Sequence, residues 1–270
     1  MTPESSVAST YAPARAWRPA PLAAVSLLAH ATGAGLVLGM PEIWPWVVAA
    51  LIGNHLLLTL AVFFPRSQLL GPNINRLPEA ARLRGQVSLT FDDGPDPDLT
   101  PRILELLDQH GAKASFFCVG EEVAAHPEIV REIVRRGHSV ENHSYRHSPA
   151  FACYGIARLS AEIERAQDAL ARLTGQRPAF FRAPAGFRSP FLDFVLARQG
   201  LRYVSWTRRG YDAVSVHPRR ALARLTRRLA AGDVLLLHDS GRCILQILPA
   251  LLDELARRGL RSVSLPAALE

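Results

Sequence analysis

Two long apolar runs, 22–40 and 43–64, open the chain without a single charged residue. Each is long enough to cross a hydrocarbon core of about 30 Å at 1.5 Å per residue. Neither run has a polar face, which sets both apart from the amphipathic helices of a soluble domain. Gly33, Gly35 and Gly39 would weaken a soluble helix but suit close packing in lipid, and Trp44 and Trp46 begin the second run where interfacial aromatics lie. The pattern predicts a transmembrane hairpin, with a buried soluble hairpin as the alternative. A secretory signal fits less well, because a second span follows directly and no clean cleavage site stands out.

From Gln86 onward the periodicity changes. Short β-rich runs at 87–91, 115–119, 138–141, 179–182, 203–206, 234–237 and 261–264 alternate with amphipathic stretches. Those stretches fall at 100–110, 127–136, 156–173, 190–199, 218–230 and 244–258. Pro101 and Pro218 suit helix starts, and Gly111, Gly137, Gly200 and Gly259 suit helix stops. Strand alternating with helix argues a parallel sheet, and about seven units favour a barrel. The chain therefore divides into a tail (1–21), two membrane helices (22–64), a linker (65–85) and a (β/α) domain (86–270).

Composition sharpens this picture. Hydrophobic residues make up 49% and charged residues 20%, which excludes a disordered chain. The formal charge is +7, carried almost wholly by arginine, with Lys113 the lone lysine. Arg15 and Arg18 precede the first run, and Arg66, Arg76, Arg82 and Arg84 follow the second, whereas the turn carries only Glu42. The positive-inside rule then places both ends in the cytoplasm, at the inner membrane. Insertion of the second run alone would put the domain in the periplasm instead. The arginines scatter over helix faces without interleaved aromatics, which argues against nucleic acid and for solvated faces or anionic lipid. Cys118, Cys153 and Cys243 are too few for a disulfide framework or a thiolate zinc site.

The unusual polar residues gather at strand ends, where barrels place their chemistry. Asp92 and Asp93 close the first strand before Gly94-Pro95. Alone this is ordinary turn chemistry, but adjacent acids can divide labour between a metal and a proton. His143 and His147, four apart, would share one side of a helical turn and grip one cation. Arg182, followed by Pro184 and Gly186, offers a fork for a carboxylate; His238 emerges from a buried strand as a candidate proton donor.

These five motifs, in this order, resemble the NodB-homology polysaccharide deacetylases, also called carbohydrate esterase family 4. The resemblance runs from about Gln86 to the C-terminus. It implies a distorted (β/α) barrel that removes N- or O-acetyl groups from sugars with a divalent metal, usually zinc, with cobalt, nickel or manganese as substitutes. Carried onto this chain, Asp92 is the general base, and Asp93, His143 and His147 are the metal ligands. Arg182 orients Asp92, the Ala185 N–H helps hold the oxyanion, His238 is the general acid, and Trp206 and Leu236 wall the acetyl pocket. Two positions depart from the family's pattern. Arg209 stands where many members carry an acid that tunes the last His, leaving Asp212 to substitute beside the substrate site. Ala185 stands where an aromatic is frequent. The expected substrate is an acetylated sugar, lipid-linked if the domain lies against the membrane. A catalytically silent carbohydrate- or lipid-binding protein on the same barrel is the alternative.

Overall fold

The computed structural model describes residues 16–214, 217–241 and 243–269. Two 19-residue helices, α1 (Pro21–Gly39) and α2 (Trp44–Val62), form the N-terminal hairpin. Both are long and apolar enough to cross a membrane, and only 6% of either span is buried. Among the described residues the (β/α) domain leaves most of the hairpin uncovered. The two helices touch closely where Gly33 lies, since a Cβ there would come within 2.7 Å of Val47 Cγ1. Asn54 donates to Ser26 Oγ across the pair at 2.8 Å, which satisfies the only amide in the second run.

Beyond α3 (Glu79–Leu83), strands and helices alternate. They run β1 (Gln86–Asp92), α4 (Thr100–Gln109), β2 (Ala114–Cys118), α5 (Gly120–Ala125), α6 (Pro127–Arg135), β3 (Ser139–Asn142) and α7 (Ile156–Thr174). There follow β4 (Phe180–Phe181), α8 (Leu192–Arg198), β5 (Arg202–Tyr203), β6 (Arg208–Arg209), α9 (Pro218–Thr226) and β7 (Val234–His238). The chain closes with α10 (Ile244–Arg257), β8 (Arg261–Ser262) and α11 (Leu265–Leu269). Every ladder is parallel, in the order β5-β4-β3-β2-β1-β7-β6, with β8 paired to the lower end of β1. The expected barrel is present as an open half-barrel, and β6 is a strand that the pattern of hydrophobic residues does not reveal.

Alternation along the central strands decides where the chemistry sits. Val87, Leu89 and Phe91 of β1 join Leu235 and Leu237 of β7 in a core under Ile103, Leu104, Ile247 and Leu251 of the outer helices. With a period of two, Ser88, Thr90 and Asp92 therefore face the other way, into the barrel, as do Leu236 and His238. Register pairs Asp92 directly with His238.

The segment 65–85, expected as a flexible linker, is built onto the barrel. Arg188, 1% exposed, donates to the carbonyls of Leu70 and Gly71 at 2.9 and 3.2 Å and stacks on Tyr203. Asn73 donates to the carbonyls of Pro65 and Ser67. Ile74 then bridges in parallel to Val204, and the Leu77 N–H donates to the Gly232 carbonyl at 2.8 Å. The segment thus crosses the side of the sheet between β5 and β7, and Phe63, just past α2, meets the Phe187 ring at 5.3 Å.

Candidate metal centre

The mouth is organised by one buried arginine. Arg182, fully buried, follows β4 and donates to Asp92 Oδ1, to Thr90 Oγ1 at 3.0 Å, and to the carbonyls of Val204 and Ser205. Its guanidinium lies 4.1 Å from the Phe117 ring centre. Asp92, 4% exposed, is held by one oxygen, which leaves Oδ2 facing His143 Nε2 at 3.8 Å.

Asp93, His143 and His147 converge beside it, each offering one ligand atom, all within 4.8 Å of one another. Asp93 Oδ1 lies 3.5 Å from His143 Nε2 and 3.3 Å from His147 Nε2. Ligand bonds of about 2.1 Å at the tetrahedral angle place donor atoms about 3.4 Å apart, so the set fits a small divalent cation with positions left open. His143 Nδ1 sits 2.9 Å from the Arg182 carbonyl, so Nδ1 carries the hydrogen and Nε2 keeps its lone pair. Burial would raise the Asp93 carboxyl, but a hydrogen bond and charge from His143, with His238 and His147, hold it well below the usual carboxylate range. Burial, aided by His143, lowers His147 despite the pull of Asp93. Both shifts favour the protonation states a metal requires.

The His pair reaches this geometry without the helical turn expected of it. Ser144 and His147 have φ of 67° and 47°, so residues 143–147 form a tight loop through left-handed positions. Asn142 braces that loop: its amide donates to Ile163 O and Gln167 Oε1, and its Oδ1 accepts from the Ser144 N–H. The first amides of α5 add to this, Gly120 and Glu121 donating to the carbonyls of Ser144 and Tyr145.

On the opposite wall, His238 ends β7. Its Nδ1 faces Asp212 Oδ1 at 3.1 Å, and its backbone N–H donates to Asp212 Oδ2 at 2.7 Å. Asp212 is 1% exposed and makes both bonds, so it stands against His238, where it was expected to substitute for the acid that Arg209 replaces. Burial would lower the His238 imidazole, but Asp212, with Asp92 and Asp93, raises it. Ala185 stands exposed at the mouth with φ 54° and shares a cavity lining with the buried Trp206, while Leu236 is buried on β7 opposite Thr90. A Cβ on Gly186 would lie 2.5 Å from Trp206 Cη2, so only glycine lets the indole approach this loop.

Every candidate residue thus falls at one end of the barrel. Sequence reasoning missed Ser240, whose hydroxyl donates to Asp93 Oδ2 at 2.9 Å, and the brace from Thr90, Asn142 and Gln167. The Asp239-Ser240 pair after His238 was the only signal that could have found Ser240.

A family model described as polysaccharide deacetylase matches residues 80–204. That match includes both acids, both histidines and Arg182, and ends before Trp206, Arg209, Asp212 and His238. A peptidoglycan-N-acetylglucosamine deacetylase of Bacillus cereus is 33% identical over 194 residues, 69% of each chain. A chitooligosaccharide deacetylase of a Bradyrhizobium species is 35% identical over 154 residues, 57% of this chain and 70% of the relative. Among solved structures, a peptidoglycan N-acetylglucosamine deacetylase superimposes with a TM-score of 0.68 at 30% identity, over 73% of this chain and 92% of that one.

Proposed function

The chain belongs to the polysaccharide deacetylase family, hydrolases of non-peptide carbon–nitrogen bonds, and we propose that it is a membrane-anchored, metal-dependent member that removes an N-acetyl or related acyl group from a sugar held at the membrane. The observation that carries this reading is the register pairing of Asp92 with His238 beside the Asp93, His143 and His147 cluster. It puts a proton acceptor and a proton donor side by side next to one cation seat. Zinc in that seat, or cobalt, nickel or manganese in its place, would polarise the acyl carbonyl and lower the pKa of water.

The chain's own groups supply the rest. Arg182 occupies Asp92 Oδ1, so Oδ2 receives the proton of the attacking water. The Ala185 N–H meets the developing oxyanion. Asp212 takes the Nδ1 hydrogen bond of His238, so the Nε2 proton passes to the departing amine. Trp206 and Leu236 wall the acyl group. Arg209, in place of an acid, would favour the silent binding protein, but Asp212 on His238 supports the enzyme.

The anchor is α1 and α2, crossing the inner membrane as a hairpin. The arginines outside both spans put the barrel on the cytoplasmic side, where an envelope precursor or lipid-linked glycan is within reach. A reporter active only in the periplasm, fused after Glu270, should stay silent, and strong signal would move the domain and its substrate outside. For the chemistry, the full-length protein in detergent should bind one divalent cation and release acetate from N-acetylglucosamine oligomers. His143→Ala and His147→Ala should lose metal and turnover together while circular dichroism is kept. Full occupancy in both variants would refute the cation seat.

A further inference from the structure

A cavity of about 660 Å³ opens between the root of the hairpin and the catalytic mouth. One wall is Phe63, Phe64, Pro65, Arg66 and Ser67, the residues immediately after α2. The other is the catalytic loop with Ala185, together with Trp206 and the β6 residues. It is therefore continuous with the acyl pocket on one side and with the end of a candidate membrane span on the other. Its size is that of a small-ligand site.

The charge of this cavity is one-sided. Four arginines line it, Arg66, Arg208, Arg209 and Arg224, and no acid does. Arg208 is engaged, with Nε on Asp233 at 2.8 Å and its other nitrogens on the carbonyls of Arg227 and Arg228. The remaining three have no carboxylate partner among the described residues. Arg209 lies over the rings of Trp206 and Tyr211 at 5.1 and 4.7 Å, and its buried Nε has no acceptor. Arg224 faces the same Tyr211 ring at 5.3 Å. A planar fork held on aromatic faces suits a phosphate oxyanion. A neutral sugar polymer gives such a set nothing to bind.

We propose that this cavity seats the phosphate of a lipid-linked sugar. Arg66, Arg209 and Arg224 hold the anion, the acylated sugar lies over Trp206 toward Asp92, and the lipid chain leaves past Phe63 and Phe64 along the hairpin. The proposal rests on the deacetylase reading and adds the substrate's anionic link. It also accounts for the charge at position 209: with Asp212 on His238, that position is available to the substrate.

The test uses the full-length protein in detergent and three N-acetylglucosamine substrates: a polyprenyl phosphate ester, the water-soluble 1-phosphate, and a neutral alkyl glycoside of matched chain. The expected order of kcat/KM is phosphate ester above neutral glycoside and above the soluble phosphate. Arg66→Gln with Arg209→Gln should narrow the ratio of phosphate ester to neutral glycoside by about 10- to 100-fold, the worth of charge-assisted hydrogen bonds. Arg66→Gln with Arg224→Gln alters only exposed side chains and guards against misfolding of the buried variant. A binding measurement separates this proposal from the catalytic one. The Asp92→Asn protein, followed by tryptophan fluorescence, should bind phosphatidylcholine vesicles containing polyprenyl phosphate more tightly than vesicles containing polyprenol. Arginine-dependent binding, with no turnover of any of these sugars by the wild-type protein, would sink the deacetylase reading and leave the anion seat standing. Equal kcat/KM for phosphate ester and neutral glycoside, or an unchanged ratio in both double variants, would overturn the seat. Equal use of the soluble phosphate would overturn the lipid as its source.

Discussion

At the barrel mouth, Arg182 directs its nitrogens to Asp92, Thr90 and two carbonyls; one loop away, Arg209 rests on two rings with its Nε lacking an acceptor. The contrast extends to the neighbours of each. Around Arg182 the acids, histidines and hydroxyls satisfy one another: His143 on the Arg182 carbonyl, Ser240 on Asp93, Asp212 on His238. The cavity around Arg209 is lined by three further arginines and no acid, and of these only Arg208 has a carboxylate partner among the described residues, Asp233 behind the lining. A region whose polar groups are matched within the chain is preorganised, and its residues are already where the reaction needs them. A region of uncompensated like charge is arranged for something that arrives. Both meet at Trp206, which forms a wall of each.

The mouth should break most sharply at its two adjacent acids, which look alike in sequence and differ in place. Asp92→Asn leaves Asp93, His143 and His147 intact, so bound metal should persist while turnover falls about 10²–10⁴-fold, the usual worth of a general base. Asp93→Asn should release the metal. Metal content by mass spectrometry beside initial rates decides the matter, and retention by Asp93→Asn with loss by Asp92→Asn would exchange their roles.

The next test concerns the joint between the regions. Arg188→Gln removes the donors that hold the Leu70 and Gly71 carbonyls, at a cost of about 3 kcal/mol for buried groups left unpaired. Backbone amides over 65–77 should then exchange faster than those of β1 and β7, which share none of these bonds. Unchanged exchange there would show that the aromatic contacts at Phe63 and Phe187 suffice. This joint also marks where sequence reading ended. The strand-end motifs were legible because a buried apolar run followed by Asp, His or Arg is rare and local. Segment 65–85 has no periodicity, and its order comes from Arg188 and Val204, more than a hundred residues away. The two-residue β6 is too short for alternation to show. The helical turn read at 143–147 failed because left-handed Ser144 and His147 carry no glycine to announce them. The sequence offers Asp212 as a substitute for the acid missing at Arg209, and the two bonds to His238 are visible only in the fold.

The smallest effect should come from Asp212, because its removal retunes His238 without emptying the site. Burial pulls the imidazole down and Asp212 more than restores it, so the wild-type ring keeps its proton to a pH above the ordinary histidine value of about 6.5. As a general acid it must be protonated, so the basic limb of kcat/KM follows its pKa. Asp212→Asn takes away the main raising influence while burial remains, and the basic limb should move to lower pH. Stability should follow the same sign. A raised folded pKa adds stability that is complete below the unfolded value and is lost as pH rises through the folded one. The wild type should therefore lose part of its advantage over Asp212→Asn as pH climbs above about 6.5, read as converging thermal midpoints. A basic limb that stays in place while the rate falls uniformly would mean that Asp212 fixes the ring's direction and not its proton. The comparison would then sharpen, since the mouth would be ordered by geometry where the arginine cavity is ordered by charge.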